Sequence, residues 1–240
     1  MTALQGLGAR LRLARLVLRT DARRRQGDLI PFLTAALAGG VDVVQVRQDH
    51  LDVRTGREVL EEVRRVAATA QAVVGVVGSP AWAGAVQADL LHLGAADGTS
   101  TEARAALHAD ALLGRSAHDA DQVRAAAADP ALDYFFVGAP APAATPSAGL
   151  DLVRQAARVA PVFDLASTPW FASGGITAAD LDAVVDAGAR RVCVGAALTG
   201  ASDPQEAAAG LVRALAEAWR ADPAAERYLF AAAAGRGGSR

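Results

Sequence analysis

Two glycine turns in the last third of the sequence are the residues whose spacing points most directly to chemistry. Gly174 and Gly175 follow one apolar segment, and Gly195 follows the next. Thr177 and Asp180 are spaced as an N-cap pair, so a helix is expected to begin directly after the paired glycines. Glycine-turn N–H groups ahead of a helix can bind an anion. The pattern predicts a phosphate-binding site, although a lone glycine pair would fit an ordinary tight turn about equally well.

The elements that would position these turns are apolar runs of strand length that alternate with stretches of helical periodicity. This alternation is typical of a parallel sheet built from βα units. Eight strands are predicted, at residues 15–20, 43–47, 73–77, 90–93, 112–116, 134–137, 170–173 and 191–194. Eight such units predict one (β/α)8 TIM barrel, whose active site lies at the C-terminal ends of the strands and whose last two loops commonly bind phosphate.

The domain organisation expected from this pattern is simple. The barrel should span residues 15–219, preceded by an N-terminal extension of residues 1–14. Residues 220–240 form an Ala- and Gly-rich tail with room for one short helix.

Composition excludes several classes of function. The formal net charge of -2 gives no support for nucleic-acid binding. No apolar run approaches the ~18 residues of a membrane span. The single cysteine, Cys193, falls in a predicted buried strand, which fits a reducing compartment and a cytoplasmic location. All 24 cationic residues are arginine, so no lysine amine is present for Schiff-base chemistry.

Polar side chains gather at the predicted strand ends. Arg47 is the strongest candidate for a phosphate contact, because a guanidinium at a strand end can donate to two phosphate oxygens at once. Gln45 fits either a ligand contact or an amide satisfied by neighbouring loops, and Ser116 fits either a ligand contact or a backbone contact in its own loop. His118 is the histidine placed to titrate in such a site, whereas His92 is expected inside a strand as a satisfied core residue.

In their order and spacing, several segments resemble the thiamine phosphate synthase family, over about residues 15–215. The resemblance rests on Thr20-Asp21-Ala22-Arg23, Gln45-Val46-Arg47, His92-Leu93-Gly94 with Asp97, Gly114 to His118, Asp133 to Gly138 and the glycine turns. Any one of these segments would be weak support. Together they are highly specific.

The resemblance implies a transferase that joins hydroxymethylpyrimidine pyrophosphate to a thiazole phosphate and releases pyrophosphate. It implies that Mg²⁺ and cationic donors stabilise the leaving group. By position, Gln45, Arg47 and Ser116 would contact the pyrimidine pyrophosphate, with Arg47, Ser116 and His118 as the candidate catalytic residues. Gly174, Gly175, Gly195 and Ala196 would hold the thiazole phosphate, with Thr145 as a further contact. Asp97 would be a metal ligand, although a turn or helix-cap role fits it about as well.

This chain departs from the family at three places. Asp49 stands where the family has a lysine next to the pyrophosphate, and Val77 and Gly78 stand where the family has an Asn-Asp pair that includes a metal ligand. The family's Thr-x-Thr-Lys loop is shortened here: Thr145 is all that remains of it, and Pro146 follows. We therefore expect Mg²⁺ binding to be weak or to depend on substrate.

Three functions fit these observations. The coupling reaction is favoured narrowly. A thiazole tautomerase would need only the phosphate turns and one acid or base, for which His118 is the candidate. A binding protein for a phosphorylated thiazole or for thiamine phosphate would need no catalytic group, and fold alone cannot separate the three. In each case the expected partners are small phosphorylated molecules, with homo-oligomerisation possible and neither nucleic acid nor membrane involved.

Overall fold

The fold is a closed barrel of eight parallel strands in the order β1 to β8, which confirms the predicted (β/α)8 architecture. The computed structural model describes residues 6–23, 25–47, 51–94, 97–138 and 146–234, and only the backbone at residues 146–148. The strands are β1 (Leu16–Thr20), β2 (Val43–Arg47), β3 (Val73–Val77), β4 (Leu90–Leu93), β5 (Leu112–Ala117), β6 (Tyr134–Val137), β7 (Trp170–Ala172) and β8 (Val192–Val194). Each strand end lies within one residue of the position predicted from the apolar runs.

Helices connect the strands on the outside of the barrel. They are α1 (Leu7–Leu13), α2 (Leu29–Ala38), α3 (Val53–Thr69), α4 (Pro80–Ala85), α5 (Ser100–Ala106), α6 (Ala120–Ala128), α7 (Pro146–Val159), α8 (Leu181–Asp186), α9 (Ala196–Thr199), α10 (Pro204–Arg220) and α11 (Ala225–Ala233). A 3-10 turn, Ala178–Asp180, leads into α8. None of the helices in the described ranges combines the length and the apolar character that a bilayer crossing would need.

The side chains of each strand alternate between two cores. One set faces the helices and belongs to the largest apolar cluster, which includes Leu16, Leu18, Val44 and Val46. The other set fills the barrel interior and includes Val17 and Val43. Because the strand period is two residues, the side chains two positions further along β1 and β2 also point inward, nearer the C-terminal ends. This alternation carries polar side chains into the upper layer of the barrel.

The lower end of the barrel is covered by α1 and α11, which pack against each other. Leu11 of α1 belongs to the interior cluster and is 1% exposed. Beside it, the buried Arg191 donates from Nη2 to the Arg12 carbonyl at 2.9 Å and to the Tyr228 hydroxyl at 2.9 Å. The guanidinium also lies over the Trp219 ring at 5.1 Å and the Tyr228 ring at 5.5 Å. These contacts attach the two terminal helices to the bottom of the barrel.

Candidate active site

A cavity of about 450 Å³ opens at the C-terminal ends of the strands. Its lining comes from both ends of the chain, because closure of the barrel places β1 beside β8. The lining residues are Arg19, Thr20, Asp21, Arg23, Gln26, Arg47, Ser116, His118, Ser173, Gly174, Gly175, Cys193, Val194, Gly195, Ala196 and Thr199. Seven residues of the predicted site thus share one cavity: Arg47, Ser116, His118, Gly174, Gly175, Gly195 and Ala196.

The two glycine turns form one side of this cavity. Gly174 and Gly175 have φ angles of 110° and 76°, a left-handed conformation that glycine adopts without strain. Asp180 accepts from the Thr177 amide at 2.9 Å and from the Thr177 hydroxyl at 2.6 Å, which confirms the predicted N-cap pair. These bonds hold the pKa of Asp180 below its ordinary value. A Cβ built on Gly175 would meet no atom within 4 Å, so the turn leaves open space beside it.

A chain of five polar side chains crosses the barrel beneath the cavity. Arg19 on β1 donates to Gln45 Oε1 from Nε at 3.3 Å and from Nη2 at 3.1 Å. Gln45 Nε2 donates to the Tyr134 hydroxyl at 2.9 Å. The Tyr134 hydroxyl lies 3.1 Å from His92 Nδ1, and His92 Nε2 lies 2.9 Å from Ser116 Oγ. Ser116 lines the cavity, so the chain ends at the surface that a ligand would contact.

Strand register and one glycine bring these five side chains together. Arg19 pairs with Gln45 across β1 and β2, and His92 pairs with Gly114 across β4 and β5. A Cβ on Gly114 would collide with the Tyr134 ring, so the missing side chain lets that ring cross the interior. The glycine in the middle of β5 is therefore explained by the close approach of Tyr134.

Burial determines the charge states within this chain. His92 is fully buried, and desolvation, with a smaller contribution from the Arg19 charge, holds its pKa well below 6.5. Desolvation raises the pKa of the Tyr134 hydroxyl well above 10.0. Both groups are neutral at physiological pH. The buried thiol of Cys193 has its pKa raised to about 11 by the same effect, so it stays protonated.

Gln45 lies below the cavity and does not belong to its described lining. Its side chain is fully buried, with Oε1 occupied by Arg19 and Nε2 by Tyr134. Of the two roles that the sequence left open, this conformation matches the satisfied amide. A direct contact with substrate stays a prediction.

Arg19, like Arg23, is a cationic lining residue that sequence reasoning did not assign to the site. Its guanidinium also lies 5.1 Å from the centre of the Phe136 ring, a cation–π contact. The available signal was the strand period, since Arg19 is two residues beyond the inward-facing Val17. It gives the cavity a positive charge in a chain that has no lysine.

Asp97 occupies a turn after β4. Its Oδ2 accepts from the Gly94 amide at 2.7 Å, while Arg115 donates to the carbonyls of Asp97 at 3.1 Å and of Gly98 at 2.6 Å. Within the described ranges, no three Asp, Glu, His or Cys side chains lie close enough to hold a metal ion. One carboxylate fits Mg²⁺ that arrives with a pyrophosphate, but it does not form a complete metal site.

His118 lies at the mouth of the cavity with one ring nitrogen already engaged. Its Nδ1 lies 2.6 Å from the Gly138 carbonyl, which can only accept, so the proton is assigned to Nδ1. Nε2 is left as the nitrogen that can exchange a proton or contact a ligand. The ring is thereby oriented by the backbone of Gly138, directly after β6.

Two predicted positions, Asp49 and Thr145, lie outside the described residues. Val77, the last residue of β3, offers no side-chain oxygen at the strand end, and neither does Gly78 after it.

The barrel and this cavity place two glycine turns and several arginine side chains at one end of a (β/α)8 fold. The sequence matches the family described as thiamine monophosphate synthase over residues 16–198. The chain belongs to the thiamine monophosphate synthase family.

Relatives support this membership along most of the chain. The chain is 44% identical to the thiamine-phosphate synthase of Acidothermus cellulolyticus, over 85% of this chain and 96% of that one. It is 45% identical to the thiamine-phosphate synthase of Thermobifida fusca, over 88% of this chain and 97% of that one. Among solved structures, thiamine phosphate pyrophosphorylase from Pyrococcus furiosus has a TM-score of 0.71 at 24% identity and covers 87% of this chain and 98% of that one. That similarity supports the fold.

Proposed function

We propose that this protein is an active thiamine-phosphate synthase that joins hydroxymethylpyrimidine pyrophosphate to a thiazole phosphate. The observation that carries the proposal is one cavity that combines arginine side chains with two glycine turns, in a chain about 45% identical to proteins of that name. The reaction breaks the bond between the pyrimidine methylene carbon and the pyrophosphate oxygen, and the electron pair leaves with pyrophosphate. The thiazole nitrogen then donates its lone pair to the methylene carbon.

This chemistry assigns a part to each side of the cavity. The leaving group gains negative charge in the transition state, so the arginines Arg19 and Arg47 and the Ser116 hydroxyl would stabilise it. The N–H groups at Gly174, Gly175, Gly195 and Ala196 would hold the thiazole phosphate. Both substrates would then be fixed with the methylene carbon facing the thiazole nitrogen, which is the contribution of orientation to the rate.

Magnesium would supply charge neutralisation on the pyrophosphate when bound. Asp97 is the described carboxylate at the family position, and together with phosphate oxygens of the substrate it would hold the metal. A cytoplasmic location remains part of the proposal.

His118 is the residue that separates coupling from tautomerisation. The thiazole nitrogen attacks through a lone pair, so coupling needs no base at that atom. A tautomerase would have to move a proton on the thiazole and would need Nε2 of His118. The relatives reported above are synthases, and the contacts of His118 fit an oriented substrate contact as well as an acid or base.

The test is an assay of the purified protein with both substrates and Mg²⁺. We expect thiamine phosphate and pyrophosphate in equal amounts, and we expect His118→Gln to keep the rate within about tenfold, since the amide preserves a polar contact. Without substrate, Mg²⁺ should give little saturable heat by calorimetry. Binding of thiazole phosphate with no coupling product would leave the binding-protein function, and exchange of a thiazole proton without coupling would leave the tautomerase.

A further inference from the structure

The hydrogen bonds of the polar chain beneath the cavity all donate in the same direction along the chain. Arginine side chains can only donate, so Gln45 must turn Oε1 towards Arg19 and Nε2 towards Tyr134. An amide nitrogen also only donates, so the Tyr134 hydroxyl accepts from Gln45. The hydrogen of that hydroxyl must then go to another acceptor.

Two acceptors lie within reach of the Tyr134 hydroxyl. His92 Nδ1 is 3.1 Å away, and the Leu91 carbonyl is 3.5 Å away. The shorter contact is within the normal range for a hydrogen bond and the longer one is at its limit, so the hydrogen goes to Nδ1. A neutral imidazole that accepts at Nδ1 carries its proton on Nε2. His92 therefore donates to Ser116 Oγ, 2.9 Å away.

We propose that His92 is a positioning residue whose Nε2–H tautomer, set by Arg19, Gln45 and Tyr134, makes Ser116 a one-way hydrogen-bond donor to an anionic oxygen in the cavity. Because the Ser116 oxygen accepts from His92, its own hydrogen is available on the cavity side. His92 cannot act as a base towards Ser116 in this tautomer, so Ser116 is a donor and not an activated nucleophile. The part that concerns the ligand rests on the proposed function, whereas the tautomer does not.

The surroundings of the chain support a fixed orientation. Gln45 and His92 are 0% exposed and Tyr134 is 1% exposed, so water does not compete for their hydrogen bonds. The His92 ring packs 4.2 Å from the Phe136 ring, which limits its rotation. Arg19 supplies a full charge at the far end and polarises the donors that follow it.

The direct test is ¹⁵N NMR of the unmodified protein labelled at histidine. We expect the His92 proton on Nε2, with Nδ1 unprotonated, between about pH 6 and pH 8, where a free imidazole titrates. A proton on Nδ1, or on both nitrogens, would overturn the proposal whether or not the protein is a synthase.

A second test uses inorganic pyrophosphate as the probe and calorimetry as the readout. Tyr134→Phe removes the hydroxyl that sets the tautomer and should weaken pyrophosphate binding by about 3- to 10-fold. In a Ser116→Ala background the same change should have an effect of less than about 2-fold, because Tyr134 acts through Ser116. An equal loss in both backgrounds would indicate a general packing role and contradict the proposal. Phe135→Leu is the matched control, because Phe135 belongs to the cluster that faces the helices, and it is expected to give the same change in both backgrounds.

Substitutions at His92 add a check by rescue. Glutamine can place an N–H near the position of Nε2, whereas the shorter asparagine cannot reach Ser116. We therefore expect His92→Gln to keep pyrophosphate binding within about 3-fold of the unmodified protein and His92→Asn to lose about as much as Ser116→Ala. Equal behaviour of the two variants, at equal melting temperature, would contradict the assigned donor. If pyrophosphate does not bind even the unmodified protein, the proposed function fails, and the NMR result alone decides the tautomer.

Discussion

The two ends of the barrel both contain a cavity lined by arginine side chains, but they use these arginines differently. The cavity at the lower end is the larger of the two, at about 550 Å³ against about 450 Å³ at the upper end. At the lower end, Arg104 is paired with Asp133 at 2.6 Å and donates to the Ala111 and Ala131 carbonyls. Its charge is therefore satisfied by the protein itself. Cavity size alone does not identify the functional end of this molecule.

At the upper end the polar groups are aligned and end at a surface. Arg19, Gln45, Tyr134 and His92 satisfy one another in a single direction, and the last donor of the series is Ser116 in the cavity wall. The turn at Gly175 leaves open space where a side chain would stand. We therefore expect the lower end to contribute stability and the upper end to contribute binding and catalysis.

The largest expected effect follows from loss of the cation at the end of β2. Arg47→Ala should lower kcat/KM for coupling by about 100- to 1,000-fold, because a donor to the leaving pyrophosphate is removed. Arg54→Ala is the matched control, since Arg54 is exposed and pairs with Glu58 one helical turn away at 2.9 Å. Steady-state kinetics with both substrates measure the effect. If the two variants have the same activity, Arg47 has no part in catalysis.

The corresponding substitution at the lower end should alter stability instead. Arg191→Ala removes the contacts with Trp219, Tyr228 and the Arg12 carbonyl, and we expect it to lower the free energy of unfolding by about 2–4 kcal/mol. Urea denaturation measures this loss. The exposed Arg220 is the control, with Arg220→Ala expected to change stability by less than about 0.5 kcal/mol. A large fall in kcat for Arg191→Ala, under conditions where the variant remains folded, would contradict the assignment of stability to the lower end and catalysis to the upper end.

The features that could be predicted from the sequence are those that depend on residues close together in the chain. Eight strands follow from apolar runs, and the glycine turn with the helix start behind it follows from Gly174 and Gly175 with Thr177 and Asp180. These signals lie within a few residues of each other, so no knowledge of the tertiary structure is needed.

The polar chain could not be predicted in this way, because its members lie on five different strands. Gln45 touches Tyr134 only after the barrel closes, and sequence alone left its two roles equally open. Helix α1 was missed for a related reason. Its Leu11 is buried by the barrel interior and not by a partner close in sequence.

A smaller effect is expected at the glycine turn. Gly175→Ala places a methyl group in the open space and forces a residue with a side chain to a φ of 76°. We expect the free variant to relax away from this φ, and returning to it on binding costs about 1–2 kcal/mol, so thiazole phosphate binding should weaken by about 5- to 30-fold while pyrophosphate binding changes little. Gly149→Ala is the control, because Gly149 lies in α7 and a Cβ there meets no atom within 4 Å. Equal losses for both ligands would mean that thiazole phosphate and pyrophosphate depend on the same turn.

The smallest effects concern pH, and the two ends should respond with opposite sign. The pKa of His92 lies well below 6.5 because of burial, so the unfolded chain binds more protons below that pH. Stability should fall on acidification from pH 6.5, at up to about 1.4 kcal/mol per pH unit until the folded pKa is reached. At the lower end, burial raises the pKa of Asp42, whose Oδ2 accepts from the amides of Arg15 at 2.7 Å and Leu16 at 2.9 Å. Its contribution is complete below pH 3.8 and is lost as the pH rises through its folded pKa.

Urea denaturation at a series of pH values between about 4 and 8 separates the two ends. His92→Gln removes the group that must be charged on unfolding, so its stability should depend less on pH below 6.5 than that of the unmodified protein. Asp42→Asn keeps an oxygen for the two amides and removes the opposing effect, so its stability should fall more steeply on acidification. If both variants keep the pH dependence of the unmodified protein, neither buried group controls it, and the two ends do not differ in how their buried charges are linked to folding.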